Sequence, residues 1–500
     1  MKILSAEQLR ALDKYTIEHE PVSSIDLMER AAKQFFDVVS GLIKKHQPVY
    51  VFCGMGNNGG DGLAVARMLI KEGFHAVHPF IVRHSPKGSA DFEMNEERLK
   101  FLAPIHYIES SNQFPKVENG AVIVDAIFGS GLSRPVEGIS AEVIELINRS
   151  SAKVYAVDVP SGMFCDQLND EHDIVVHAAI IYTFHAPKLT FLFPRNEKYI
   201  PAFEVLDIGL SKEYEATIDS PYEFVDEKLV HSLFKKRTKF SHKGTYGHAL
   251  ICAGSYGKMG AAILATQAAL RSGAGLVTAY IARAGYEIMQ TSCPEAMVLT
   301  SENEHVITPL KDFSKFSALG VGPGIGAETA TVDFIESLLK TAGKPLVLDA
   351  DALNIISANR YLRDMLPHES VLTPHPGEFK RLAGEWENDL QKLQKQIEFT
   401  EQYQVVTVVK GAHTAVSVPG GKVYFNSSGN AGMAKGGSGD VLTGVITALL
   451  AQGYSAHLAA IISVYIHGLA GDEAAEHIGQ TGMTARDIIH YLPVAFARFE

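Results

Sequence analysis

The sequence is poor in cysteine and carries no excess of positive charge. Its four cysteines, among 500 residues, lie far apart and form no CxxC pair, so disulfide bonds and a thiolate zinc site are both disfavoured. The formal net charge of −12 argues against a general binder of nucleic acid or of anionic membranes. It does not argue against a nucleotide site, because such sites bind phosphate through local backbone amides.

Long apolar runs are also missing. The most apolar segment, residues 441–471, is interrupted by Gln452-Gly453 and by His457, which predicts two buried helices rather than a membrane span. The first residues form a charged amphipathic pattern without the apolar core of a signal peptide. Together with the cysteine usage, these features predict a soluble cytoplasmic protein.

What the sequence does contain is apolar strands followed by glycine turns and helices. This pattern occurs in both halves, and 46% hydrophobic residues are ample for more than one core. We predict an α/β protein of two doubly wound, three-layer domains, the first of them Rossmann-like. The segment Leu210–Phe224 is polar and without periodicity, so we place the domains at residues 1–216 and 224–498.

The most glycine-rich stretch is GNAGMAKGGSGDVLTG, residues 429–444. A glycine loop that runs into a helix presents free N–H groups and the positive end of the helix dipole, which suits phosphate. Asp440 lies at this junction, where it can cap the helix or direct a carboxylate at a group beside the phosphate. The alternative is a surface loop with an aspartate cap.

A second glycine turn, GMGNNGGDG at residues 54–62, follows the apolar run Val49–Cys53. Strand, glycine turn and helix are the phosphate-binding arrangement of open α/β folds. The turn matches neither the GxGxxG fingerprint with its acidic residue nor the GxxxxGK[ST] loop. An Asn-Gly turn without a ligand is the structural alternative.

Acidic residues follow three of the predicted strands in the first half, namely Asp61, Asp125 and Asp158. The carboxyl ends of the strands border one crevice in a doubly wound sheet, so we expect these acids to converge there, with a cation or ligand hydroxyls between them. Asn58, Asp125 and Ser161 offer hard oxygen ligands, which suit a hard cation rather than zinc. The loop GSGLSRP, residues 129–135, adds Arg134 as a phosphate ligand.

The segments GMGNNGGDG, VDAIFGSGLSRP, VDVPSG and TFHAPK together resemble the YjeF N-terminal family, the NAD(P)H-hydrate epimerases. The resemblance covers residues 1–215, and it implies that Asp158 contacts the reacting end of the substrate. It also implies that potassium is bound by Asn58, Asp125 and Ser161. The residues implied to bind the hydrated dinucleotide are Asn57, Asn58, Gly59, Gly60, Asp61, Gly129, Ser130, Gly131, Leu132, Ser133, Arg134, Pro135 and Asp158.

The second half restarts the α/β pattern with its own loops at strand ends. The segments HKGTYGH, GVGPGIG, DADAL, TPHPGE, KGAHT and the late GNAGMAKGGSGD are similar to those of the ADP-dependent NAD(P)H-hydrate dehydratases, which have a ribokinase-like fold. The similarity covers residues 225–495, so the whole chain resembles a fusion of these two families.

This second resemblance implies two groups of ligand-binding residues. Those implied to contact the hydrated dinucleotide are Ala261, Gly324, His375 and Asp440. Those implied to contact ADP are Lys410, Gly411, Ala412, His413, Thr414, Asn430, Gly436, Gly437, Ser438 and Gly439. A magnesium ion would accompany the ADP, and the resemblance further implies a homo-oligomer, a tetramer or larger, without nucleic-acid or membrane partners.

The expected activity is repair of hydrated nicotinamide dinucleotides. The first domain would interconvert the R and S hydrates, and the second would phosphorylate the hydroxyl of the S hydrate from ADP so that phosphate leaves. Asp440 is then the base that accepts the hydroxyl proton. The alternative is a ribokinase-type small-molecule kinase fused to a first domain that only binds or scaffolds.

Overall fold

The computed structural model describes the whole chain, Met1–Glu500. Its contacts separate two compact units, Lys2–Ser220 and Pro221–Glu500 with Met1. None of the helices combines the length and the apolarity that crossing a bilayer requires.

The first unit contains six helices and seven strands. The helices are α1 Ala6–His19, α2 Ser24–Leu42, α3 Asn57–Lys71, α4 Ala90–Lys100, α5 Gly138–Arg149 and α6 Lys212–Thr217. The strands are β1 Val49–Cys53, β2 Val77–Val82, β3 His106–Ile108, β4 Val122–Ala126, β5 Lys153–Val157, β6 Ile180–Phe184 and β7 Phe203–Leu206.

These seven strands form one parallel sheet in the order β3-β2-β1-β4-β5-β6-β7. Alternate residues of β1 enter two separate cores, as the period of two requires. Val49 and Val51 pack in a core with residues of α2 and α3, whereas Tyr50 and Phe52 pack in a core with residues of α5. The sheet is therefore the middle of three layers, and the order in which the chain adds its strands reverses between β1 and β4.

The second unit contains ten helices and ten strands. The helices are α7 Glu227–Leu233, α8 Met259–Arg271, α9 Tyr286–Ser292, α10 Thr329–Thr341, α11 Ala350–Ala358, α12 Pro376–Ala383, α13 Asp389–Tyr403, α14 Ser438–Ala451, α15 Ala456–Ile478 and α16 Ala485–Ala497. The strands are β8 Tyr222–Val225, β9 His248–Cys252, β10 Leu276–Ile281, β11 Met297–Thr300, β12 Ala318–Val321, β13 Leu346–Leu348, β14 Val371–Leu372, β15 Val406–Val409, β16 Ala415–Ser417 and β17 Val423–Asn426.

The second sheet runs β11-β10-β9-β12-β13-β14-β15-β16-β17-β8. It is parallel except where β16 pairs with its two neighbours. Leu250 and Cys252 of β9 pack in a core with residues of α10 and α11, and Ala249 and Ile251 pack in a core with residues of α8. Both domains are thus three-layer α/β structures, so the predicted fold class is confirmed. The residue limits predicted for the two domains stay a prediction.

Candidate active sites

The first candidate site is a cavity of about 580 Å³ at the carboxyl ends of β1, β4 and β5. These ends flank the reversal point of the sheet, where open α/β folds bind ligands. Most of the residues that the sequence assigns to this site line the cavity: Asn57, Asn58, Asp61, Gly129, Ser130, Gly131, Leu132, Ser133, Arg134 and Asp158. Gly59, Gly60 and Pro135 are not among the lining residues.

The glycine segment after β1 is the first turn of a helix rather than a loop. Helix α3 begins at Asn57 with Gly56 as its N-cap, and no side chain caps it. The first backbone N–H groups of a helix have no partner within the helix, so this turn presents them with the positive end of the dipole. A Cβ on Gly129 would lie 3.0 Å from the Asn58 amide group, which brings the two glycine segments into contact.

Asp158 is the most constrained residue of the cavity. It has a φ of 62°, a conformation that is rare outside glycine and often marks a functional site. Its Oδ1 accepts hydrogen bonds from Thr183 at 3.2 Å and from the Phe184 N–H at 3.1 Å, and it lies 2.9 Å from the Lys188 Nζ. Burial opposes ionisation, but Lys188 and these hydrogen bonds together lower the pKa of Asp158 below its usual value.

Two further carboxyl groups that line the same cavity have raised rather than lowered pKa values. Burial, reinforced by the charges of Asp158 and Asp13, raises the pKa of Asp61 well above its usual value, and its Oδ1 is buried without a partner. Burial and the charge of Asp158 raise the pKa of Asp13 to about 6. Of the three acids expected to converge, Asp61 and Asp158 line the cavity; Asp125 is fully buried and does not.

Asp125 instead makes close contacts with Ser161. The Ser161 hydroxyl donates to Asp125 Oδ1 at 2.5 Å, and the Ser161 N–H donates to Oδ2 at 2.8 Å. No basic side chain pairs with Asp125, and burial raises its pKa to about 6 despite these hydrogen bonds. This set of oxygen donors and an unneutralised carboxyl fits a hard monovalent cation.

Sequence reasoning missed Lys188 and Asp13 as residues of this site. Lys188 is the last residue of the segment TFHAPK, so a lysine next to the end of β6 was the available signal. It is almost fully buried. Asp13 lies in an ordinary amphipathic helix, α1, and no local pattern distinguishes it.

The second candidate site lies where α14 begins. Its N-cap is Gly437 with a φ of 94°, and no side-chain cap is present. Of the two possibilities for Asp440, the cap is excluded: Asp440 lies inside the first turn, and the left-handed conformation that starts the helix requires the glycine. Asp440 makes no hydrogen bond or ion pair, and its carboxyl is free to meet a ligand.

A buried ion pair supports this helix start. Lys410, directly after β15, lies 2.9 Å from Asp349 Oδ1, and the Thr443 hydroxyl donates to Asp349 Oδ2 at 2.9 Å. A Cβ on Gly439 would lie 3.2 Å from the Lys410 Nζ, so the lysine faces the glycine segment. Burial and the charge of Asp349, opposed by Lys410, raise the pKa of Asp440 to about 6.

The residues predicted to contact the dinucleotide lie on loops around this point. A Cβ on Gly324 would lie 3.1 Å from the Ala261 Cβ, so these two residues adjoin. His375 caps α12, with its Nδ1 accepting from the Gly377 N–H at 3.0 Å. The loop that contains His375 is tied to Lys410 because the Lys410 N–H donates to the Pro374 carbonyl at 3.0 Å.

The residues predicted to contact ADP divide into two segments. Gly411 to Thr414 form the turn between β15 and β16, where the Gly411 N–H donates to the Thr414 hydroxyl at 3.2 Å. Asn430 uses its side chain within the protein, since its Nδ2 donates to Asp472 at 2.9 Å and its Oδ1 accepts from the Gly432 N–H at 3.0 Å. Asn430 therefore shapes the glycine segment.

Three residues of this site were not singled out from the sequence. Asp349 holds Lys410, and Thr443 in turn donates to Asp349; from the sequence, Asp349 was visible only as an acid at the end of a strand. Buried His467 lies 3.5 Å from the Ser438 hydroxyl, and burial lowers its pKa to about 4. A neutral histidine thus supports the glycine segment from α15.

No group of three or more histidine, cysteine, aspartate or glutamate side chains in the chain could hold a metal ion by itself. A cation at either site needs other ligands, such as the Asn58 and Ser161 oxygens in the first domain or the phosphates of a bound nucleotide in the second.

The fold and the two sites define a chain with two separate α/β catalytic domains, one with an acidic cavity and one with a glycine-bounded helix start. The model described as YjeF-related protein N-terminus matches residues 24–190, and the model described as NAD(P)H-hydrate dehydratase matches residues 249–494.

Relatives match along the whole chain. The bifunctional NAD(P)H-hydrate repair enzyme of Moorella thermoacetica is 34% identical over 520 residues, covering 100% of this chain and 97% of that protein. That of Coxiella burnetii is 35% identical over 490 residues, covering 97% and 98%. Among solved structures, the ADP/ATP-dependent NAD(P)H-hydrate dehydratase from Bacillus subtilis, co-crystallised with ATP and Mg²⁺, is 31% identical over 56% of this chain and 99% of that chain, with a TM-score of 0.49. The chain belongs to the family of bifunctional NAD(P)H-hydrate repair enzymes, which favours the repair interpretation over a small-molecule kinase with a scaffold domain.

Proposed function

We propose that the first domain interconverts the R and S hydrates of NADH or NADPH and that the second dehydrates the S hydrate with ADP, forming NAD(P)H, AMP and phosphate. The observation that carries this proposal is the presence of two built sites in one chain whose full-length relatives are repair enzymes. Epimerisation gives the dehydratase access to both hydrates.

The chemistry of the second domain follows from the poor leaving ability of hydroxide. Transfer of the β-phosphoryl group of ADP to the substrate hydroxyl makes phosphate the leaving group. Asp440 accepts the hydroxyl proton, and its pKa of about 6 suits a base that works near neutral pH. Lys410, held by Asp349, and the N–H groups of Gly436 to Gly439 stabilise charge on the phosphoryl group.

The remaining contacts of the second domain are assigned by position. Ala261, Gly324 and His375 contact the hydrated dinucleotide, supported by the adjacency of Ala261 to Gly324. Lys410 to Thr414 and Gly436 to Gly439 contact ADP, and Asn430 acts through the shape of its loop.

A magnesium ion fits the second site. The charges of Asp349 and Asp351 both act on Asp440 there, and only Lys410 and Lys258 pair with these carboxyl groups. Magnesium is typically held by phosphates together with one or two carboxylates, so one of these groups would hold the ion with the nucleotide. The ion would supply positive charge to the transferring phosphoryl group.

In the first domain, Asp158 acts at the reacting carbon of the hydrate. The support is its ionised state beside Lys188 and its position on the cavity wall. The turn Asn57 to Asp61 and the loop Gly129 to Pro135 hold the dinucleotide, with N–H groups of α3 facing its phosphates. Potassium fits Asn58, Asp125 and Ser161, where it would supply the charge that buried Asp125 lacks.

We extend the proposal to the state of the protein in the cell. All four cysteines are free and buried, which supports a reducing compartment such as the cytoplasm. A homo-oligomer of four or more copies is proposed from the family resemblance alone. Light scattering on the purified protein tests the oligomer, and a monomer would refute it.

The function is tested by incubating the protein with chemically prepared mixed hydrates and either ADP or ATP. We expect NAD(P)H absorbance to rise until both hydrates are consumed, with AMP and phosphate formed from ADP. A stable phosphorylated product without NAD(P)H would instead identify a small-molecule kinase.

A further inference from the structure

Four carboxyl groups line one cavity of the first domain. Asp91 accepts a hydrogen bond from the Ser24 hydroxyl at 2.5 Å, and the other three share the cavity with one buried lysine. Asp13 comes from α1, Asp61 from α3 and Asp158 from the end of β5, and all three line the cavity with Lys188. Like charges so placed cannot all ionise without a cation for each. The distribution of protons among them therefore depends on what Lys188 contacts.

Of these three carboxyl groups, Lys188 contacts only Asp158. An ammonium group has three donors, and those of Lys188 contact Asp158 at 2.9 Å, the Phe184 carbonyl at 3.2 Å and the Ala186 carbonyl at 3.1 Å. None is left for Asp13 or Asp61. Arg10 and Arg134 also line the cavity, but neither pairs with these acids.

Of the two acids with a raised pKa that line the cavity, Asp13 and Asp61, Asp13 is the more exposed. Asp61 and Asp158 are both buried in the cavity wall, and Lys188 keeps Asp158 ionised, whereas Asp13 is only partly buried and its carboxyl makes no hydrogen bond or ion pair. The titratable and charged groups that share the cavity with Asp13 are Arg10, Asp61, His84, Asp91, Arg134, Asp158, His185 and Lys188. Burial and Asp158 favour its protonated form, and its pKa of about 6 lies above that of Asp158, which Lys188 lowers. Two carboxyls with separated pKa values are the arrangement of a general acid and a general base.

We propose that Asp13 is a second catalytic residue of the first domain, a proton donor to the hydroxyl of the hydrated dinucleotide, paired with Asp158 as the proton acceptor. This inference rests on the proposed epimerase function. It assigns a role to a residue of α1 that lies outside the glycine segments and outside the cation ligands.

The chemistry follows from where water adds to a dihydronicotinamide. Water added to an enamine places the hydroxyl on the carbon bonded to the ring nitrogen. Asp13 gives its proton to this hydroxyl, the C–O bond breaks, water leaves, and the nitrogen lone pair forms a C=N bond. A water molecule then attacks the opposite face of that carbon and gives a proton to the Asp158 carboxylate. The proton passes from Asp158 to solvent, and Asp13 is reprotonated from solvent, so atoms and charge balance over a turnover.

The test is the variant Asp13→Asn in the full-length protein, compared with Glu18→Gln, which removes an exposed carboxylate from the same helix. Epimerisation is followed by chromatography of the two hydrates, with the uncatalysed rate subtracted. We expect Asp13→Asn to lose about 10²-fold or more in rate, the range for a general acid, and Glu18→Gln to match the parent. Denaturant unfolding of the first domain that matches the parent shows that Asp13→Asn is folded, and unchanged dehydration of S hydrate shows that the second domain is unaffected.

The pH profile separates a catalytic role from a structural one. In the parent the rate should fall as the pH rises through about 6, because Asp13 loses its proton there. This alkaline limb should disappear in Asp13→Asn and return in Asp13→Glu. A variant that keeps both the parent rate and the parent profile would overturn the assignment of Asp13.

Labelled water tests the C–O step independently. In H₂¹⁸O each inversion should introduce one ¹⁸O into the hydrate, and inversion with complete retention of ¹⁶O would overturn the step. If the parent itself does not exceed the uncatalysed rate, the proposed epimerase function fails. If the parent epimerises and Asp13→Asn does so equally well, only this inference fails.

Discussion

The pKa of an aspartate is lowered at the first site and raised at the second, because only the aspartate of the first site contacts a lysine directly. Asp158 contacts Lys188 directly, and its pKa falls although it is buried. Asp440 has no such contact, because Lys410 pairs with Asp349, and its pKa rises to about 6. Contact with a cation, rather than burial alone, decides which carboxyl is ionised at low pH.

Replacing Asp440 by asparagine should remove the base of the second domain. We expect NAD(P)H formation from S hydrate and ADP to fall by about 10²–10⁴-fold. In the parent, the rate should fall as the pH drops below about 6, because Asp440 becomes protonated there. The measurement is initial NAD(P)H absorbance between pH 5 and pH 8. A near-parental rate in Asp440→Asn would contradict the assignment.

Replacing Lys188 by methionine should leave the buried Asp158 carboxylate without a counter-charge. Removal of one partner of a buried ion pair typically costs about 3–5 kcal/mol, so we expect a loss of this order in the unfolding free energy of the first domain at neutral pH. Epimerisation should be lost as well. Denaturant unfolding measures the effect, with Lys71→Met on the exposed end of α3 as control. The double variant with Asp158→Asn should recover part of the loss; no recovery would contradict the pairing.

At the scale of elements, both sites lie where a helix begins next to the carboxyl end of a parallel strand. Helix α3 follows β1, and α14 begins beside the end of β15, where Lys410 emerges. Glycine is the N-cap in both cases, and neither helix has a side-chain cap. A side-chain oxygen would occupy the N–H groups that a phosphate needs. Because neither helix has a side-chain cap, the first N–H groups of both helices are available to a phosphate.

The start of α14 should not tolerate a side chain at its N-cap. In Gly437→Ala the φ of 94° is strained, and the added Cβ would lie 2.6 Å from Leu264 Cδ1. We expect a loss of about 1–3 kcal/mol in stability and weaker nucleotide binding, measured by thermal unfolding with and without ADP. Gly436→Ala is the matched stability control, because a Cβ there meets nothing within 4 Å. Equal melting temperatures for the two variants would contradict this account.

The cation site joins three elements, since Asn58 lies on α3, Asp125 on β4 and Ser161 after β5. We expect epimerisation to slow when potassium is replaced by tetramethylammonium, because the Asp125 carboxyl then lacks a counter-charge. Asp125→Asn should make the residual rate independent of potassium. The rate is measured against potassium concentration, with dehydration of S hydrate as the internal control. A potassium-independent parent enzyme would refute the site.

At the scale of the whole molecule, each domain has its own sheet, its own cores and its own site. Each site draws its charged groups from one unit alone. The two activities should therefore be separable by single substitutions. The hydrates would connect them by diffusing through solvent.

A mixture of two defective variants should test this separation. Asp158→Asn retains the second site, and Asp440→Asn retains the first. Mixed together with ADP and both hydrates, they should convert all of the substrate to NAD(P)H, whereas Asp158→Asn alone should leave R hydrate to the slow uncatalysed reaction. The extent of conversion is read from absorbance. A mixture that performs no better than Asp158→Asn alone would show that the sites must share a chain.

The sequence by itself determined the fold class, the family and the segments that carry the sites. Apolar strands that end in glycine turns are local patterns, and so the residues Asn57 to Asp61 and Gly436 to Asp440 could be located without coordinates. The proton affinities of the carboxyl groups in the sites could not be predicted, because they depend on contacts between residues far apart in the chain. Only the tertiary structure placed Lys188 on Asp158, Lys410 on Asp349 and Asp13 in the cavity of Asp61. Local backbone geometry is encoded by neighbouring residues, whereas the electrostatics of a buried site depends on which distant side chains share it.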